Sequence, residues 1–413
     1  MPPVADSVTS TDGPARRGLL ASGSWGSILV VYLFGVLGAS TVSKVIPLAA
    51  DFSRRFGTTP ADFGWLVSTI ALPAVLLAIP SGLLVDRLGP RRVMHGAVVF
   101  GIAANLLYYG ASSFGLMQVA RVLEGTAIVH LYTAVPAFLM GTCTGPRRGA
   151  ALSVWATYMP TGTAVGLLLA GSFAGQDGWR GLFLVHAGAY AVVGLLNLAQ
   201  PVMSSAPAGV GVGLGERLRD LRLAYSRPAL LLLALAFFLM ISLGFGANST
   251  FPGYFARLHG VSVATSSAAV AAITLLMIPG SLLVGALVAR GIPQRVVFVG
   301  LAVFGTLAGS LAFHPALAVG PRLVVVGTWF VISGAAIATL MSTLPLVAEP
   351  RRRGSAAALL NQSAATATFV NPPLWLPLAA AGVWWPFAAL MAGGWFVAVA
   401  SVWGLSRFPP PEP

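Results

Sequence analysis

No Asp, Glu, Lys or Arg occurs between Pro228 and Ala256, and after a single arginine the next stretch, Leu258 to Ala289, has none either. Water cannot solvate a surface built from such runs. A bilayer span needs ~20 mostly apolar residues, and the chain supplies them repeatedly. Of its 413 residues, 57% are hydrophobic and 8% are charged, whereas a soluble domain is charged at roughly a quarter of its positions. Gly at 48 positions and Pro at 29 fit membrane helices, where both are commoner than in soluble ones. A transmembrane β-barrel does not fit the periodicity. Its strands alternate apolar and polar over ~10 residues, while runs such as GLFLVHAGAYAVVGLLNLA are apolar all round. The expected fold class is an all-α membrane protein.

Twelve spans are expected, near 26–50, 62–86, 92–111, 114–141, 149–175, 180–200, 228–255, 263–289, 294–313, 320–347, 354–381 and 384–406. Residues 1–25 read as a disordered cytosolic tail, lacking the apolar core and cleavage site of a signal peptide. A six-helix bundle (26–201), a basic amphipathic linker (202–227), a second six-helix bundle (228–406) and a short tail (407–413) follow. With the N-terminus in the cytosol, seventeen arginines fall in inner segments. Only Arg54, Arg55, Arg180, Arg257 and Arg322 fall in outer ones. That asymmetry is the positive-inside rule. Both termini are therefore expected in the cytosol, and the protein in the cytoplasmic (inner) membrane. The net charge of +13 then comes from loop arginines and does not call for a nucleic-acid partner. The lone Cys143 excludes an intrachain disulfide and a Cys-rich metal site.

The two halves echo each other. IPSGLLV (Ile79–Val85) recurs as IPGSLLV (Ile278–Val284), and PRRGAALS (146–153) resembles RRRGSAAA (351–358). A repeat with both copies in one membrane orientation fits two bundles related by an axis along the membrane normal. Between the second and third spans, GLLVDRLGPRR resembles the signature of the major facilitator superfamily, with Gly82, Asp86, Arg87, Gly89, Arg91 and Arg92 matching and Pro90 departing from it. The degenerate copy after the eighth span has Ala289 where the acid would stand. RVLEGTA (121–127) resembles the family's fourth-helix motif. The resemblance implies twelve helices in two six-helix bundles and a secondary transporter working by alternating access, and it leaves the substrate open. It also implies a gating role for the six matching residues, latching the cytosolic ends of the bundles while the outside is open. Gly354 and Ser355, at the start of the eleventh span, are the expected target. A carboxylate such as Asp86 can meet a helix N-terminus and a guanidinium at once. The arginines also serve as topology determinants on their own.

Ionisable groups inside spans are costly and mark function by default. Lys44, the only lysine, lies late in the first span, and Arg121 and Glu124 lie one turn apart in the fourth. Two cations against one carboxylate suit an anionic solute. Lys44 and Arg121 are therefore expected to bind substrate, and Glu124 to couple protons. The alternative is a structural Arg121–Glu124 pair with Lys44 snorkelling to headgroups. In the family's pattern, Trp155 and Tyr158 of the fifth span and Asn361 of the eleventh face the cavity. Pro372 and Pro373 are expected to break or kink the eleventh helix. His130 is expected to face away from Arg121.

No Walker motif is present, so ATP is not the energy source. No nucleophile–base or metal constellation points to an enzyme, a cofactor or a bound metal. The leading function is a monomeric secondary transporter of a small, anionic organic solute, proton-coupled or exchange-driven. The alternatives are a drug or metabolite exporter of the same fold and a membrane receptor or scaffold. The fifth span lacks the Gly-Pro pair of drug/proton antiporters, which disfavours multidrug export.

Overall fold

The computed structural model describes residues 18–175, 177–202, 215, 219, 222, 223, 225–349 and 353–408. Most of the N-terminal tail, the linker and the last five residues lie outside them. Among the described residues the secondary structure is helical throughout. Span 1 comprises Trp25–Ser43, a 3-10 turn Ile46–Leu48 and Ala49–Phe56. Span 2 is split into Pro60–Thr69 and Leu72–Leu88. Spans 3 and 4 are Pro90–Gly110 and Phe114–Thr142. Span 5 is split into Gly145–Trp155 and Tyr158–Phe173, and span 6 is Gly181–Asn197. The second half holds span 7 (Pro228–His259), span 8 (Val263–Thr274 and Met277–Ala289), span 9 (Gln294–Ala312), span 10 (Val319–Val347), span 11 (Arg353–Ala380) and span 12 (Trp385–Gly404). Eleven of these are long and apolar enough to cross a bilayer. The twelfth is span 11, which carries Asn361, Gln362, Thr366, Thr368, Asn371 and three prolines.

Four spans are interrupted, and each interruption stands just before a proline. The breaks at 44–45, 70–71, 156–157 and 275–276 precede Pro47, Pro73, Pro160 and Pro279. A proline ring clashes with the carbonyl four residues back and offers no N–H to it, so the preceding helix ends there with free carbonyls. At Pro372 and Pro373 span 11 is not broken: the helix is continuous through both. Asn371 Nδ2 donates back to the Ala367 carbonyl at 2.5 Å. The proline backbone packs so closely on span 2 that a β-carbon on Gly64 would come within 2.8 Å of Pro372 O.

Glycines let spans meet at these breaks. A β-carbon on Gly125 of span 4 would stand 2.3 Å from Ile70 O, at the break in span 2. In the second half, one on Gly334 of span 10 would stand 2.2 Å from Met277 O, beside the break in span 8. Overpacking costs ~1–3 kcal/mol, more than the tenths of a kcal/mol that valine gains over glycine in helix propensity. Gly125→Val is therefore expected to lower the unfolding temperature of the purified protein clearly. Gly96→Ala, where the new methyl meets open space, should leave it unchanged or raise it. Equal melting of the two variants would remove close packing as the reason for Gly125.

The halves join at the end opposite the termini. Trp65 of span 2 packs on Phe369 of span 11 with ring centroids 5.7 Å apart, and Gly171 of span 5 abuts Ser267 of span 8. Ile46, Ala164 and Leu167 are buried in the hydrophobic core of the second half.

Candidate functional site

Arg121 gathers the carbonyls that the breaks leave free. Its Nη1 and Nη2 donate to Thr41 O and Val42 O, both at 2.8 Å, at the end of the first helix of span 1. Nε donates to Leu66 O at 3.2 Å and Nη2 to Val67 O at 3.5 Å, at the end of the first helix of span 2. Helix C-termini carry the negative end of the dipole, so a guanidinium suits both. The fifth N–H goes from Nη1 to Glu124 Oε2 at 3.0 Å. A guanidinium has five donors, and all five are used.

Glu124 bridges the two cations. Its Oε1 lies 2.5 Å from Lys44 Nζ, and Lys44, Arg121 and Glu124 are all fully buried. Lys44 therefore does not snorkel to headgroups. It also donates to Asn105 Oδ1 of span 3 and lies 3.3 Å from His186 Nδ1 of span 6. Its ammonium sits 5.5 Å and 5.1 Å from the ring centroids of Tyr108 and Phe183, which stack on each other at 4.4 Å. Such cation–π contacts strengthen when desolvated. Tyr190 closes the cluster, its hydroxyl 3.2 Å from Thr41 Oγ1. Asn105, Tyr108, His186 and Tyr190 were not among the residues expected from sequence.

The other expected residues fall elsewhere. Trp155 and Tyr158, on either side of the break in span 5, stack at 4.2 Å, and Tyr132 of span 4 tilts onto Tyr158 at 4.9 Å. All three are half-buried. Asn361 is exposed, and its neighbour Gln362 accepts from Tyr225 OH. A cleft of about 270 Å³ opens there, lined by Tyr225, Phe238, Gln362 and Thr366. His130 turns away from the cluster and packs on Phe100.

In the loop between spans 2 and 3, Gly89 has φ +81°, a left-handed conformation that favours glycine. Gly82 and Asp86 are half-buried, and Arg87 and Arg92 are exposed. Arg91 is turned within its own half, donating to Asn197 O at 3.1 Å and Leu198 O at 2.7 Å at the end of span 6. Its observed contacts are those of a helix cap.

Two sets of helical spans, the first packed around a buried ion triad, define a multi-span membrane protein. The Major Facilitator Superfamily model matches residues 28–372, and the chain belongs to that superfamily. It is 29% identical over 158 residues to the Multidrug resistance protein B homolog of Mycobacterium tuberculosis, a stretch covering 38% of this chain and 29% of that protein. It is 26% identical over 164 residues to the Methyl viologen resistance protein SmvA of Salmonella typhimurium, covering 39% and 33%. The chain thus spans about a third of the length of these relatives. In fold it is similar to a bacterial homolog of the human lysosomal transporter Spinster, solved inward-facing and occupied. The TM-score is 0.75 at 16% identity, over 92% of this chain and 96% of that one.

Proposed function

We propose that the protein is a secondary active transporter that moves a small organic solute across the cytoplasmic membrane by alternating access, coupled to protons through Glu124. The observation that carries this reading is the sealed Lys44–Glu124–Arg121 triad. A buried carboxylate between two counter-cations holds both by its charge, and losing that charge leaves them unpaired. A proton on Glu124 removes the charge that holds both cations to the breaks in spans 1 and 2. Binding of that proton thereby becomes movement of helices.

The triad carries an excess of one positive charge, two cations against one carboxylate, which favours an anionic solute. Lys44 is hydrogen-bonded to Asn105 and His186 and ion-paired with Glu124, so an anion reaches it only in a state where one of these has let go. Trp155, Tyr158 and Asn361 form the walls of the solute site in this reading. With the termini in the cytosol, the closed end faces outside and the cleft near Asn361 faces inside. In the opposite state the loop of Gly82, Asp86, Arg87, Gly89, Arg91 and Arg92 latches the cytosolic ends, with Arg91 leaving its cap on span 6.

A second reading, export of flat aromatic cations, is favoured by the aromatic wall of Tyr132, Trp155 and Tyr158 and by the names of the two relatives. Counterflow into proteoliposomes separates the readings, with a panel of radiolabelled organic anions run beside methyl viologen. The expected result is counterflow of an anion, lost in Lys44→Gln and reduced in Asp86→Asn. Methyl viologen counterflow without any anion counterflow would replace the first reading by the second.

A further inference from the structure

An ammonium group has three N–H bonds, and Lys44 faces three acceptors: Glu124 Oε1, Asn105 Oδ1 and His186 Nδ1. The two neutral acceptors are each oriented by a further bond. Asn105 Nδ2 donates to Gly101 O at 2.7 Å, which leaves its Oδ1 toward Lys44. Ser40 Oγ donates to Leu37 O at 2.8 Å, and so it is the acceptor toward His186 Nε2, 2.9 Å away. His186 therefore carries its proton on Nε2 and presents a bare lone pair to Lys44. A second ring proton would aim Nδ1–H at the ammonium.

We propose that His186 is a positioning residue: its neutral imidazole, locked in one tautomer by Ser40, holds the Lys44 ammonium on Glu124 and so sets the pH at which that carboxylate takes up a proton. This rests on the reading of Glu124 as the coupling carboxylate. The other titratable or charged groups around the cluster are Tyr108 from span 3, Arg121 from span 4 and Tyr190 from span 6. Span 2 meets it through the Leu66 and Val67 carbonyls. None of these contacts the third N–H of Lys44, so only His186 governs that bond.

The test needs no solute. Infrared difference spectra of the purified protein, titrated with pH, report the Glu124 carboxylic-acid band, assigned by its loss in Glu124→Gln. His186→Leu removes the lone pair, and the ammonium is then free to move off the carboxylate. A hydrogen bond to a charged group is comparable in strength to one pH unit of differential interaction. The Glu124 midpoint is therefore expected to rise by about one pH unit. His186→Gln, whose amide can accept from Lys44 and donate to Ser40, is expected to keep the wild-type midpoint. His186→Met, apolar and adaptable in shape, carries the same expectation as His186→Leu should that variant fail to fold. An unmoved midpoint in the apolar variants, an equal shift in His186→Gln, or no Glu124 band across the stable pH range overturns the proposal. Solute accumulation is read separately. A His186-dependent titration of Glu124, with accumulation indifferent to a pH gradient, keeps this inference and removes the proton-coupling reading.

Discussion

Arg121→Leu is expected to yield almost no monodisperse protein, a loss far beyond what removing a solute contact would cause. The substitution strands the carbonyls of Thr41, Val42, Leu66 and Val67 and one oxygen of Glu124, all in a dry site. Breaking a buried ion pair from one side costs ~3–5 kcal/mol, and each buried polar group left unpaired adds ~1–3 kcal/mol. Together these rival the whole stability of a typical domain, ~5–15 kcal/mol. Arg121→Lys keeps the charge but offers three donors where five are used, so an intermediate yield is expected. Arg121→Leu combined with Glu124→Leu should recover part of the loss, because no carboxylate is then left to pair only with Lys44. Size-exclusion profiles of fluorescent fusions measure all three. A wild-type profile for Arg121→Leu would show that the guanidinium does not hold the breaks together.

The clamp also explains which parts of the molecule were legible in the sequence. The spans were, because twenty uncharged residues have one solvent they can face. The Arg121–Glu124 pair was, because i, i+3 spacing on a helix fixes a common face. The four helix breaks were not expected from sequence: a proline follows each of them, yet Pro136, Pro252 and Pro345 lie inside unbroken helices. At the breaks in spans 1 and 2 the freed carbonyls are taken up by a side chain of span 4, which the local sequence does not show. The same reason hid Arg121's second task. No local rule connects position 121 to carbonyls at 41, 42, 66 and 67. Asn105 and His186 did leave a signal, as isolated polar residues in the apolar runs GIAANLLYYG and GLFLVHAGAYAVV. Their shared partner, Lys44, was not readable, because it needs the relative rotation of three helices. Arg91 went the other way: a motif resemblance implied the gate, and the structure puts its guanidinium on the end of span 6.

Glu124→Gln should separate coupling from movement. Glutamine keeps the shape and one acceptor oxygen for Lys44 or Arg121, but it neither carries charge nor binds a proton at physiological pH. If Glu124 carries the coupled proton, the variant still exchanges solute for solute, because exchange requires only that the loaded site turn between the two faces. It cannot draw on a pH gradient. One pH unit is worth ~1.4 kcal/mol per proton, or about tenfold in concentration. Wild-type protein carrying one proton per cycle should therefore approach about tenfold accumulation of its solute per unit of gradient, and Glu124→Gln should stop near equal concentrations. The direction of the effective gradient also decides between modes. Accumulation toward the alkaline side means the proton and solute travel together, and accumulation toward the acidic side means they travel in opposite directions. The variant removes the countercharge but leaves Arg121 on its four carbonyls and Lys44 on Asn105 and His186. Glu124→Gln is thus expected to fold where Arg121→Leu does not. Gradient-driven accumulation at the wild-type level in Glu124→Gln proteoliposomes, measured with whichever solute shows counterflow, would move the coupling proton to another group and leave Glu124 as a structural partner of its two cations.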